Sequence, residues 1–79
     1  MAYTNTLYIA ANLIFDLETG KTTQVLQLAN REDDATNFTQ AEVNTYMNFV
    51  KERARNIQWH IEKSNQRPGT FVIKGIQNA

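Results

Sequence analysis

The residues that could carry out catalysis are a single histidine and several grouped carboxylates. His60 is the only histidine in the 79-residue chain. No serine or cysteine nucleophile is paired with it in the sequence, and Ser64 lies where the predicted helix ends. General acid–base catalysis needs a positioned partner with a tuned pKa. We therefore expect a solvated histidine on a helix flank, no catalytic residues, and a protein that is not an enzyme.

The carboxylates suggest a metal site, but their spacing does not support one. Glu32-Asp33-Asp34 lies in one predicted loop, and Asp16 and Glu18 lie in a hairpin turn at the opposite end of the sheet. Three consecutive acids lack the spaced ligands and the glycine of a calcium loop. Gly20-Lys21-Thr22 resembles the end of a phosphate loop, but the upstream glycine is missing and a strand follows it. We expect no metal and no cofactor.

Basic residues near a tryptophan make a nucleic-acid surface the alternative function. On the predicted helix, Lys51 and Arg55 share a side with Trp59, and later bases could extend that surface. The zero net charge gives little long-range attraction, and Glu52 and Glu62 interrupt the patch. The candidate nucleic-acid residues are Lys51, Arg55, Trp59, Lys63 and Arg67.

Acids and bases are separated along the chain even though the total is neutral. Residues 1–50 contain six acids and two bases, a net charge of −4, and residues 51–79 contain six bases and two acids, a net charge of +4. A chain divided in this way could self-associate or bind a charged partner. A solvated surface of mixed sign is the alternative.

The length predicts a single domain over residues 1–79. A chain this short buries only about 60% of its unfolded surface, and without cysteine it has no disulfide to compensate. Oligomerisation is an ordinary remedy. Residues 1–6 lack the basic start of a signal peptide, and no apolar run approaches membrane-spanning length. We expect a soluble, cytoplasmic protein that does not bind membranes.

The sequence predicts one long helix, whose first residues match known N-terminal capping motifs. Thr39 and Glu42 form a capping box, and Phe38 and Val43 form a hydrophobic staple around it. An apolar stripe then follows at alternating steps of four and three. We predict a helix of roughly five turns that stops before Ser64–Gly69. The stripe residues are Val43, Met47, Val50, Ala54, Ile57 and Ile61.

The remaining apolar segments predict strands at residues 7–15, 22–29 and 70–76. Gly20 supplies a left-handed turn position between the first two strands. The odd positions from Leu7 to Phe15 share one face, with Leu26 and Leu28 pointing inward. The result is an α+β, two-layer β-β-α-β fold. Its three-stranded antiparallel or mixed sheet has order 2-1-3 and carries one long helix on one face.

A single helix leaves the second sheet face uncovered. That face would carry Tyr8, Ala10, Ile14 and Val25, with either Val72 and Ile76 or Phe71 and Ile73, which is too apolar for a solvated surface. A second surface would surround Trp59 on the polar helix side. In the alternatives, Tyr3 and residues 76–79 cover the sheet, and Trp59 packs on loop 64–69 or on a chain end. The candidate partner-binding residues are Tyr8, Ile14, Val25, Phe49, Arg55 and Trp59.

Part of the chain resembles a group of known small proteins, and the residues that carry this resemblance are 6–15, 18–21, 38–43 and Met47. A hairpin, an acidic loop and a T-x-A-E-V-x-x-x-M helix are similar to small uncharacterised proteins of low-GC Gram-positive bacteria and their phages. The likeness covers residues 6–50 and implies no activity. We expect a non-catalytic protein-interaction module, a homo-oligomer of the size of a phage or mobile-element accessory protein. Its partners would be itself or another protein.

Overall fold

The chain forms an α+β fold of one helix on an open antiparallel sheet. A computed structural model describes the backbone of residues 4–78 and the side chains of residues 5–77. The elements in chain order are β1 (Thr4–Phe15), β2 (Thr22–Ala29), a short 3-10 turn (Glu32–Asp34), α1 (Gln40–Arg53), β3 (Gln58–Lys63) and β4 (Phe71–Asn78).

The sheet has four strands in the order β2-β1-β4-β3, and every neighbouring pair is antiparallel. The prediction that the first strand lies between the second strand and the last is confirmed. The prediction of three strands is wrong, because residues 58–63 form a strand and pair with β4 at the outer edge. In the β1–β2 turn, Gly20 has φ 70°, the left-handed conformation expected for it.

The start of α1 is as predicted. The Oγ1 of Thr39 accepts from the backbone N–H of Glu42 at 3.2 Å, and Glu42 Oε1 accepts from the backbone N–H of Thr39 at 3.1 Å. This is the reciprocal capping box. It satisfies two backbone donors that the first turn would otherwise leave without partners.

The helix α1 ends about ten residues earlier than predicted. The helix ends at Arg53, and Ala54 is its C-cap. The indole Nε1 of Trp59 donates at 3.0 Å to the carbonyl of Ala54, which also accepts from the backbone N–H of Ile57 at 3.3 Å. Ile61, predicted as helix stripe, instead pairs with Ile73 of β4.

The hydrophobic core lies between α1 and the sheet. The helix packs on β3 and β4, and the loop residue Phe38 fills the space at the helix start, with 1% of its surface exposed. Its ring lies 4.8 Å from that of Tyr46. The buried cluster consists of Ile9, Phe38, Val43, Met47, Val50, Ile57, Trp59 and Ile73.

β1 and β4 separate beyond Tyr8, and the loop before α1 fills the gap. β4 pairs with β1 only over Thr4–Tyr8. The backbone N–H of Thr36 then donates to the carbonyl of Ile9, and the backbone N–H of Ala11 donates to Thr36 Oγ1 at 2.7 Å. Phe38 exchanges both backbone hydrogen bonds with Phe71 at 2.8 Å. The distal half of β1 is thereby left with β2 as its one strand partner.

The second sheet face carries the Val72 and Ile76 set, since Ile73 faces the core. Val72 is buried and Tyr8 is half-buried on this face. The 3-10 turn, on the path from β2 to Thr36, contacts β1. We named Tyr3 and residues 76–79 above as possible cover for this face. Residues 76–78 instead belong to β4 and pair with β1, and Tyr3 and Ala79 lie outside the described residues.

Candidate interaction surfaces

A two-stranded arm extends from the body of the protein. We define the hairpin arm as residues 12–25, where β1 and β2 pair with each other while β4 has already diverged. Leu13 is 72% exposed, Ile14 54%, Phe15 58% and Leu17 88%. Leu13 and Phe15 continue the helix-side face of Ile9, and Ile14 lies on the opposite face. The arm therefore has large exposed apolar side chains on both of its faces.

The lengths of the elements explain the exposure. At 3.3 Å per residue the 12 residues of β1 span about 40 Å. At 1.5 Å per residue the 14 residues of α1 span about 21 Å. The helix cannot cover both halves of the strand, and it packs on β3 and β4. Leu13 and Phe15, which we predicted to face a covering helix, are instead exposed, and the contact of the arm with α1 is made by Gln24, the ladder partner of Leu13, which donates to Tyr46 Oη.

One edge of the arm has free backbone groups. The backbone groups of Ile9 and Ala11 that bond to Thr36 point away from β2. In an antiparallel pair these directions alternate, so the N–H and C=O groups of Leu13 and Phe15 point the same way. Among the described strands none lies beside them there. The arm thus combines an apolar surface with an unpaired strand edge.

A groove lies between α1 and β2. On the sheet it is lined by Ile9, Leu26 and Leu28. Val50 of α1 and Trp59 of β3 line the other side, and the volume of the groove is about 200 Å³. Leu28 was predicted to point inward, and it does face the helix side, yet it is 57% exposed because α1 is displaced toward β3 and β4.

The predicted partner-binding residues divide into three groups in the structure. Ile14 and Val25 lie on one face of the arm, exposed and half-buried respectively, with half-buried Tyr8 farther along the same face. Phe49 is 44% exposed on α1 with the guanidinium of Arg53 5.7 Å from its ring. Arg55 is exposed in the turn after α1, away from the arm.

Trp59 is a core residue of β3 and not an exposed helix residue. Its relative exposure is 9%, and it pairs with Gly75 across the β3–β4 ladder. The placement of Trp59 on a polar helix face is therefore wrong. Of the two interpretations of Trp59, intramolecular packing is the one that matches the structure, although its contact is Gly75 and not the loop or chain end that we expected.

The candidate nucleic-acid residues lie at two ends of the helix. Lys51 is in the last turn of α1 and Arg55 follows it, whereas Lys63 pairs with Phe71 at the level of the helix start. Arg67 is in the adjoining loop. The helix length alone separates the two groups by about 20 Å. Beside Arg67, Asn65 and Gln66 donate to the carboxylates of Glu32 and Asp33. The shared helix side that we predicted for Lys51, Arg55 and Trp59 does not exist.

The groups considered for catalysis and metal binding are engaged in local contacts. His60 Nε2 lies 3.1 Å from Glu62 Oε1, and Lys74 Nζ lies 3.6 Å from the same oxygen. Asp16 Oδ1 accepts from the backbone N–H of Glu18 within the hairpin turn. Across the described part of the chain, no three side chains of metal-ligating type come together.

Comparisons with known proteins yielded no relative from which a role could be transferred. No protein family, curated protein or solved structure matched this chain.

Over residues 4–78, the structure contains no helix long and apolar enough to cross a membrane.

Sequence reasoning placed Leu13, Phe15, Leu17 and Leu28 in the core or in a turn and missed them as surface residues. The signal was available in part: β1 is the longest apolar run of the chain and exceeds every other strand. A strand longer than its neighbours must extend beyond them. The missing information was where α1 lies along β1.

Proposed function

We propose that the protein is a non-catalytic interaction module that acts as a homo-oligomer through its hairpin arm. The observation that carries the proposal is the arm itself, in which Leu13, Ile14 and Phe15 of β1 and Leu17 of the turn are each more than half exposed. Contiguous exposed apolar patches beyond a few hundred Å² typically mark interfaces.

The stability of the arm gives a second reason. An isolated two-stranded hairpin is at best marginally stable in water, and it normally needs a third strand or a packed face. Ala11 and Leu26, which adjoin the base of the arm, pack against the core, but toward Phe15 both faces of the arm are exposed. A partner on the arm would supply the missing packing and cover the free edge of β1.

The direct test is the absolute mass in solution by light scattering, at low and high salt. An apolar interface predicts a dimer or larger species at both salt concentrations. An assembly that dissociates in high salt would instead implicate the charge division between residues 1–50 and 51–79. A monomer across the accessible concentration range would refute the proposal.

Point variants locate the interface. Ile14→Glu and Phe15→Ser should shift the mass toward the monomer while leaving the circular dichroism spectrum unchanged, because neither side chain contributes to the buried cluster. Phe49→Ser is the matched control, since it removes a comparably exposed aromatic ring from α1. If Phe49→Ser dissociated the oligomer as much as the two arm variants do, the interface would have to include the helix.

Removing the arm separates its role from folding. Asn12 and Val25 pair across the ladder, and a two-residue Asn-Gly turn of type I′ can join such a pair in place of residues 13–24. The shortened chain should fold and be monomeric. An oligomer that survives the deletion would show that the arm is not the interface.

We do not propose nucleic-acid binding as a second function. The observation that would favour it is one continuous basic surface. In the structure the four candidate basic residues, Lys51, Arg55, Lys63 and Arg67, lie in two groups at opposite ends of α1.

A further inference from the structure

The strand edge of the arm determines how a second copy of the chain would bind, and this inference rests on the proposed function. We propose that two copies join by antiparallel pairing of their β1 edges, around a two-fold axis that passes between the two Ile14 residues. The product is a continuous sheet in which β2 and β1 of one copy are followed by β1 and β2 of the other.

The available backbone groups select this register. At one end, the backbone N–H of Ala11 is bonded to Thr36 Oγ1 at 2.7 Å, so a new strand cannot use it. At the other end, Leu17 lies in the hairpin turn, so no strand residue beyond Phe15 directs its backbone groups to this edge. Leu13 and Phe15 are left as the strand residues with free groups on this edge.

Only one two-fold register uses both residues on both copies. Leu13 of one copy then lies opposite Phe15 of the other, and each such pair exchanges both of its N–H···O bonds. An axis at Leu13 would place Phe15 opposite Ala11, which is occupied by Thr36. An axis at Phe15 would place Leu13 opposite Leu17, which lies in the turn.

The side chains fit the same register. On the helix side, Leu13 of one copy meets Phe15 of the other, an aliphatic–aromatic cross-strand pair of the kind that stabilises antiparallel sheets. On the other face the two Ile14 side chains meet at the axis. Asn12 lies opposite Asp16 of the second copy, so the pairing places no two carboxylates opposite each other. The exposed apolar residues of β1 in the arm are all used.

The self-complementary edge favours a second copy over an unrelated strand. An isologous interface needs the same patch to be donor and recipient, and a free edge with one usable register meets that requirement. An unrelated extended peptide could pair with the same groups. It would then add to a monomer, which the experiment below distinguishes.

Cysteine cross-linking tests the register directly, because the chain contains no cysteine. The two Ile14 residues would form a pair of the kind that is not hydrogen-bonded, with Cα atoms about 4.5 Å apart, within the range that a disulfide spans. Under mild oxidation of the full chain, Ile14→Cys should give a covalent dimer on non-reducing gels. At about 10 μM protein its rate should exceed that of Asn12→Cys on the order of 100-fold, since juxtaposed thiols have effective concentrations of about 1 mM.

A mixing experiment provides the matched control. Asn12→Cys and Asp16→Cys should each cross-link slowly alone but rapidly when the two variants are mixed and allowed to exchange. Light scattering on the same samples separates the two proposals. A dimer that cross-links faster at Asn12→Cys than at Ile14→Cys would overturn the register and leave the proposed function standing. A monomer at every concentration would overturn both.

Discussion

Adding one methyl group at Gly75 should destabilise the fold more than its size suggests. Gly75 is buried in β4, paired with Leu7 on one side and with Trp59 on the other. A Cβ at this position would lie 2.6 Å from Cε3 of the indole, closer still to Cζ3, and 2.8 Å from Cγ2 of Ile57. Real Cβ atoms essentially never approach other atoms this closely.

The neighbours cannot move away cheaply. Trp59 and Ile57 are each 9% exposed and belong to the core cluster, and the indole is also fixed by its hydrogen bond to Ala54. Overpacking a core costs about 1–3 kcal/mol. Displacing the indole also weakens a hydrogen bond with a net contribution of about 1 kcal/mol. Alanine loses less backbone entropy than glycine when a strand forms, and this difference offsets about 0.5–1 kcal/mol of the cost.

The balance is a loss of about 1–3.5 kcal/mol for Gly75→Ala. For a domain of this size that corresponds to a fall in Tm of roughly 5–25 °C. Thermal unfolding followed by circular dichroism measures it, with all chains at one protein concentration because an oligomer's Tm depends on concentration.

Repeating the substitution in a Trp59→Leu variant tests whether the indole causes the destabilisation. In Trp59→Leu, the ring that meets the new methyl group is gone, so Gly75→Ala should cost much less there, with the contact to Ile57 accounting for the remainder. The two substitutions should therefore be non-additive, as expected of residues in contact. A Tm for Gly75→Ala equal to that of the parent chain would refute the packing of Trp59 over Gly75.

Three further predictions concern the helix start and the arm. Thr39→Ala removes the capping acceptor and should lower the free energy of unfolding by about 1 kcal/mol in urea denaturation. Hydrogen bonds from the backbone N–H of Thr39, and secondarily from its side chain, hold the pKa of Glu42 below its usual 4.5. Stability from this carboxylate is present above that value and is lost as pH falls through the lowered folded-state pKa, so Glu42→Gln should flatten the acid limb of a pH–stability curve. Leu13→Pro removes an edge N–H and should dissociate the oligomer with the fold retained, whereas Ile14→Pro breaks the β1–β2 ladder; equal unfolding by both would refute the assigned edge.

Local signals in the sequence predicted much of the fold. The capping box at Thr39 and Glu42 needs only residues three apart, and the turn at Gly20 needs one left-handed position. The first hairpin and the neighbour relation of the first and last strands also followed from patterns along the chain. Each depends on contacts that the local chemistry already favours.

Local signals predicted the wrong secondary structure for residues 57–61. Ile57 and Ile61 continue the helical stripe at steps of three and four, but with Trp59 they also alternate at steps of two. Both periods fit the same side chains, and a short apolar segment cannot distinguish them. The choice is made by β4, since a strand at 58–63 gains a partner and places Trp59 over Gly75. That contact joins residues 16 positions apart.

The error in the helix also misplaced the cover that we expected for β1. A helix over residues 40–63 would span about 36 Å, and we expected Leu13 and Phe15 to lie beneath it. In the structure the first half of α1 lies nearest the arm, where Gln24, the ladder partner of Leu13, donates to Tyr46 Oη, and α1 ends at Arg53 beside Leu28. Leu13 and Phe15 are therefore exposed because the arm extends past the start of α1, and a longer C-terminal end of the helix would not cover them. The proposed interface is a consequence of where the helix begins along β1, and a partner strand at Leu13 and Phe15 would supply the packing that the helix does not give.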